Sequence, residues 1–131
     1  MSKIKVAVFD LDKGYRERFA DYLMSYKATE IEMAVFSSQS FLLEALKEEK
    51  FQLLVLGTGY EEIIAQVKVY RVPVLILTKD THGYVQEEIV LDDDQIWYTG
   101  KYQSMDVITK KMWMMAESKW SVEKTVICDS E

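Results

Sequence analysis

A (βα)5 fold, a doubly wound parallel sheet with helices on both faces, is the class this sequence predicts, and three observations carry that expectation. Short apolar runs rich in β-branched residues recur along the 131-residue chain. Segments with helical periodicity separate them. A chain that alternates strand and helix must cross over between parallel strands, and right-handed crossovers cover both sheet faces.

The elements follow in order. "KIKVAVFD" (3–10) is a continuous apolar run and reads as a buried strand. After Gly14, the residues Tyr15, Phe19, Tyr22, Leu23 and Tyr26 fall on one helical face, with Arg16, Glu17, Arg18 and Asp21 on the other. "IEMAVF" is a second strand, and "SSQS" offers N-caps for a helix burying Phe41, Leu42, Ala45 and Leu46. Phe51 to Leu56 reads as a strand buried on both faces, followed by a short helix near Glu61–Tyr70. Pro73 stands at the lip of a fourth strand, "VPVLILT". Residues 79–94 fit either a short helix or an irregular loop, and "QIWYTG" is the fifth strand. Ser104 caps a long helix from Met105 to about Trp120, with Val107, Ile108, Met112 and Met115 as its core face.

Composition narrows the function. A net charge of −6 argues against nucleic acid and anionic membrane as partners, which attract Lys/Arg clusters. No apolar run approaches the roughly 20 residues of a membrane span. The N-terminus enters a strand directly without a signal-peptide pattern. One cysteine, Cys128, cannot build a disulfide framework, so the expected compartment is the cytoplasm. With one Cys and one His, there is little material for a zinc site, and no cofactor is expected. Residues 1–120 read as one domain and 121–131 as a tail or the start of a further strand.

Chemistry is expected at the carboxyl ends of the strands. "VAVFDLDKGY" puts Asp10 and Asp12 two apart where the first strand ends, and an extended backbone would turn both carboxylates to one side. Two converging acids suit Mg²⁺. The alternative is an Asp that starts the next helix beside a solvated loop Asp.

Two families open this way. "FDLD" resembles the haloacid dehalogenase-like phosphatases, which implies Asp10 as nucleophile and Asp12 as acid/base, with Thr78, Lys101 and Asp129 in "VICDSE" as later motifs. Against it, "KGY" follows Asp12, a helix starts at once, and the sequence runs only two residues past Asp129. Residues 3 to about 118 resemble instead the receiver domain of two-component signalling. The likeness runs through "VFDLDKGYRERFADYL", "FSSQSFLLEALKEEKFQLLVL", "VPVLILT" with its hydroxyl residue Thr78, and "WYTGK". In the last motif Tyr98 falls at the switch-aromatic position and Lys101 at the invariant-lysine position. The resemblance implies the flavodoxin-like strand order 2-1-3-4-5.

It also implies a lost function. The phospho-accepting aspartate of a receiver aligns with Gly57, and the family's adjacent acid pair falls on Asp10 and Leu11. Thr78 and Lys101 keep their places without the phosphoryl group they would contact, so Thr78 is expected to satisfy backbone groups and Lys101 to pair with Asp10. The chain is therefore identified as a pseudo-receiver, non-enzymatic and independent of phosphorylation, the alternatives being the phosphatase above and a receiver that still answers a kinase in a phosphorelay by another route. "GKYQSMDVITKKM", with Lys101-Tyr102 where Lys-Pro is usual, is similar to the atypical receivers of TadZ/CpaE-type pilus-assembly proteins. That likeness implies localisation or self-association ahead of a C-terminal ATPase domain.

Other signals are weaker. "GTGYEE" puts Glu62 where a dinucleotide fingerprint needs glycine, "TGKY" lacks the upstream glycines of a P-loop, and "DTHG" with His82 follows the wrong strand for a cobalamin module. The acidic run Glu87, Glu88, Asp92, Asp93 and Asp94 reads as a solvated surface. Trp113, Ala116 and Trp120 form a second apolar face on the last helix, so Tyr102, Met105, Trp113 and Trp120 are the candidates for a homodimer interface, plain core packing being the alternative.

Overall fold

The computed structural model describes residues 4–26, 30–79 and 96–116. Residues 80–94 of the ambiguous segment, with His82 and the acidic run, lie outside the described residues, as do Trp120, Cys128, Asp129 and the tail.

Strand β1 (Ile4–Phe9) leads to helix α1 (Lys13–Tyr26), β2 (Ile31–Phe36), α2 (Gln39–Glu48) and β3 (Leu53–Leu56). A 3₁₀ turn (Tyr60–Glu62), the short α3 (Ile64–Val67) and a second 3₁₀ turn (Lys68–Tyr70) follow, then β4 (Val74–Thr78) and β5 (Ile96–Gly100). Residues 105–116 are helical. All four strand pairings are parallel, in the order β2-β1-β3-β4-β5. This is the architecture and the strand order the sequence predicts.

The central strands alternate their side chains between two cores. Val6, Val8, Leu53, Val55, Leu75 and Leu77 meet Tyr15, Phe19 and Leu23 of α1 and Ile108, Met112 and Met115 of the last described helix. Ala7, Phe9, Leu54, Leu56, Val74 and Ile76 face Leu42 and Leu46 of α2 and the segment carrying Ile63 and Val67. Placing α1 on one side and α2 and α3 on the other is what right-handed crossovers demand. Each fully buried aliphatic side chain contributes on the order of 1.5–3 kcal/mol, so the two cores together stabilise the sheet from both faces.

Three expected core residues are not in the core. Phe41 is 71% exposed, because the buried stripe of α2 is Leu42 and Leu46, four apart, and Phe41 projects beside it. Val107 is likewise an exposed neighbour of Ile108, and Tyr26 at the end of α1 lies past Leu23, the last residue of its helix to reach the sheet. The helix expected over Glu61–Tyr70 is broken into three pieces, entered from Gly59 in the left-handed conformation (φ 94°) and left through Arg71, also left-handed (φ 57°). The third strand pairs only over Leu53–Leu56, although Phe51 is buried.

Candidate functional site at the carboxyl edge of the sheet

The ends of β1, β3 and β5 deliver Asp10, Gly57-Thr58 and Lys101 to one place. Asp10 is 1% exposed and Lys101 is fully buried. The Lys101 ammonium lies 3.0 Å from Asp10 Oδ2 and 3.4 Å from Oδ1, and it donates to Thr58 Oγ1 at 2.6 Å. Oδ1 also accepts from the N–H groups of Asp12 (2.8 Å) and Thr58 (3.1 Å). Oδ2 receives no aligned hydrogen bond, so the short contact to Lys101 on that side is Coulombic. A lysine and an aspartate this deeply buried persist only as a pair, since either alone would leave an uncompensated charge in a low-dielectric interior.

Gly57 explains why Asp10 lies where it does. Its N–H donates to the Phe9 carbonyl at 2.8 Å, which holds the end of β3 against the end of β1. A Cβ on residue 57 would fall 1.9 Å from Asp10 Oδ2, 2.5 Å from its Cγ and 3.2 Å from its Cβ. The carboxylate of Asp10 thus occupies the volume into which any side chain at position 57 would begin. Thr58 and Tyr15 complete the surroundings of the ammonium; the Tyr15 ring centroid lies 4.6 Å from Lys101 Nζ.

The two acids of the opening motif separate. Asp12 turns to α1, where its Oδ1 accepts the Tyr15 N–H at 3.2 Å and its carbonyl accepts the Arg16 N–H at 2.9 Å. The hydrogen bond from Tyr15 holds the Asp12 carboxyl below the usual carboxylate range, with the nearby Lys101 and Arg18 charges acting the same way. Asp12 is therefore a helix-starting residue, and the expected convergence with Asp10 does not occur because β1 ends at Phe9. Leu11 is about half exposed and donates its N–H to the Thr58 carbonyl. These residues do not fit a divalent cation: Asp10 is engaged by Lys101, Asp12 by the helix, and positions 11 and 57 carry no oxygen ligand in their side chains. Among the described residues, no three His, Cys, Asp or Glu side chains cluster as a metal site.

Thr78 donates to the Thr99 carbonyl at 3.3 Å. Tyr98 is half-buried and stands edge-on to Tyr60 at 6.1 Å, and burial pushes both hydroxyls above the usual tyrosine value. Of the interface candidates, Tyr102 is 61% exposed, whereas Met105 and Trp113 pack, half-buried, against the core on the α1 side. Ala116 is buried, so the second apolar face of the last helix is in part spent on the core. Sequence reasoning did not find Thr58 as a partner of Lys101, nor Tyr15 as its neighbour. A hydroxyl directly after Gly57 at a strand's carboxyl end was the available signal for the first; Tyr15 read simply as a core aromatic.

No protein-family model and no curated protein matches the chain. Solved structures do. The receiver domain of a Francisella response regulator superposes with a TM-score of 0.64 at 16% identity, covering 89% of this chain and 99% of that one. A response regulator receiver protein from Burkholderia phymatum gives 0.64 at 16% identity, over 88% and 96% of the two chains. A response regulator from Burkholderia pseudomallei, solved with a phosphorylated aspartic acid and a calcium ion, gives 0.62 at 13% identity, over 92% and 73%. The chain has the fold of a response regulator receiver domain. No helix among the described residues is long and apolar enough to cross a membrane.

Proposed function

We propose that this chain is a non-enzymatic receiver-like module that acts in signalling or localisation through protein contacts and without phosphorylation. One observation carries the reading: the place of a phosphoacceptor side chain is taken by the Asp10 carboxylate, already neutralised by Lys101. An acyl phosphate needs a carboxylate at the end of β3, and Gly57 has none to offer. Asp10 is no substitute, being buried, paired and hydrogen-bonded. The same engagement weighs against Asp10 as the nucleophile of a phosphatase.

The test is titration with Mg²⁺ and beryllofluoride, observed by amide NMR. The expected result is no saturable shift at residues 10, 57, 58, 78 or 101. A saturable response there would overturn the reading.

The finer assignment, to the atypical receivers of TadZ/CpaE-type pilus-assembly proteins, draws support from Lys101-Tyr102 and from the missing acid at position 57. In that reading a cytoplasmic ATPase domain follows in the full-length protein and the module self-associates through its last helix. Among the described residues, the exposed large apolar side chains available to such a contact are Tyr102, Val107 and Met114, rather than the core-packed Met105 and Trp113.

A further inference from the structure

We propose that Tyr15 is a latch: it ties Lys101 and the segment entering the 105–116 helix to α1, so that the carboxyl edge of the sheet is fixed in one arrangement by the protein's own side chains. The inference rests on the reading of the site as filled and phosphate-independent, and deepens it by naming what holds the end of β5.

Tyr15 grips Lys101 at two points. Its hydroxyl donates to the Lys101 backbone carbonyl at 2.7 Å, across 86 residues of sequence, and its ring lies 4.6 Å from the ammonium of the same residue. The first contact fixes the main chain where β5 ends; the second adds a cation–π attraction that is strongest when desolvated, as here. From the other strands, Asp10 and Thr58 hold the ammonium and the Thr78 carbonyl accepts the Lys101 N–H at 2.7 Å. Lys101 is thus fixed at its amide, its carbonyl and its side-chain tip.

The latch reaches beyond Lys101. Tyr102 stands edge-on to the Tyr15 ring at 6.1 Å although most of its surface is exposed, so Tyr15 also sets how Tyr102 is presented. One α1 turn pair further along, the Tyr22 hydroxyl donates to Asp106 at 3.1 Å. The short connection between β5 and the last helix is therefore tied to α1 near both of its ends. Burial pushes the Tyr15 hydroxyl far above its ordinary value, with the Asp10 charge acting in the same direction, so it remains a donor throughout the physiological range. A tyrosine is what this geometry requires: phenylalanine would keep the ring under the ammonium and lose the tie to the main chain, and an aliphatic residue would lose both.

That separation supplies the test. In the full chain, Tyr15→Phe is expected to speed amide hydrogen exchange across residues 101–107 about fivefold, the loss of one net hydrogen bond, while amides of β1 and β3 keep their rates. The side-chain methylene protons of Lys101 are expected to keep their upfield ring-current shift in Tyr15→Phe and to lose it in Tyr15→Leu. Unchanged exchange over 101–107 in Tyr15→Phe would overturn the proposal. So would an equal acceleration in β1, β3 and 101–107, which marks ordinary core packing. Should Tyr15→Leu not fold, the Tyr15→Phe exchange pattern decides by itself. Neither readout involves phosphate, so a failed latch leaves the beryllofluoride result standing, and the reverse.

Discussion

The carboxyl ends of β3 and β5 have been treated in opposite ways. At the end of β3, Gly57 contributes no side chain at all, and a neighbour's carboxylate fills the space. At the end of β5, Lys101 is fully buried and engaged by Asp10, Thr58 and the Tyr15 ring. The difference teaches that the two positions are coupled through Asp10. The buried Lys101 ammonium needs a counter-charge, and only a glycine at 57 leaves room for the Asp10 carboxylate to supply it. What stands at this edge is a buried ion pair, Asp10 with Lys101, joined by the Thr58 hydroxyl.

The sharpest way to break this comparison is at β5. Lys101→Met strands the Asp10 carboxylate and is expected to cost about 3–5 kcal/mol in chemical denaturation. A loss below roughly 1 kcal/mol would mean that the pair is not holding the edge together. The next effect is at β3. Gly57→Ala forces a Cβ onto Asp10, and overpacking of this kind is expected to cost about 1–3 kcal/mol. Combining Gly57→Asp with Asp10→Ala moves the carboxylate from β1 to β3. The double variant is expected to be more stable than the sum of the two single changes allows, a coupling that a double-mutant cycle reads directly.

The smallest effects are those of pH. Asp12 has a folded-state pKa lowered by the Tyr15 N–H bond, so its contribution is present above the unfolded value of 3.8 and disappears as pH falls through the lower folded value. Tyr15 runs the other way: its raised folded value stabilises the protein up to the unfolded value of 10.0, and that contribution fades as pH rises further. Denaturation midpoints across pH are expected to drop on both flanks, the acid slope flattening in Asp12→Asn and the alkaline slope in Tyr15→Phe.

The fold was legible because its signals are one-dimensional. Short β-branched runs such as "KIKVAVF" and "VPVLIL" read as buried strands by their length and branching, and the amphipathic spacing of Tyr15, Phe19 and Leu23 reads as a helix packed on them. The errors came from residues at the margin of a stripe. Phe41 and Val107 sit one position before a buried residue, and a periodicity of 3.6 does not say on which side the stripe ends. At the site, the receiver resemblance marked Gly57 as a position without an acid and suggested the pairing of Asp10 with Lys101, which the structure shows. The occupation of the Gly57 volume, the Thr58 hydroxyl and the double hold of Tyr15 depend on how three strand ends and α1 meet, which sequence spacing does not encode. Of the two readings of Asp12 the helix-starting one holds, for a local reason: the strand stops at Phe9, one residue before the alternation that would have aligned it with Asp10.

The central claim is that no group at this sheet edge takes up phosphorus. Intact-mass spectrometry of the wild-type chain, after incubation with Mg²⁺ and a small acyl-phosphate donor, tests it most directly. The account expects the unmodified mass alone, and a stoichiometric phosphoryl adduct mapping to the β1, β3 or β5 ends would contradict it.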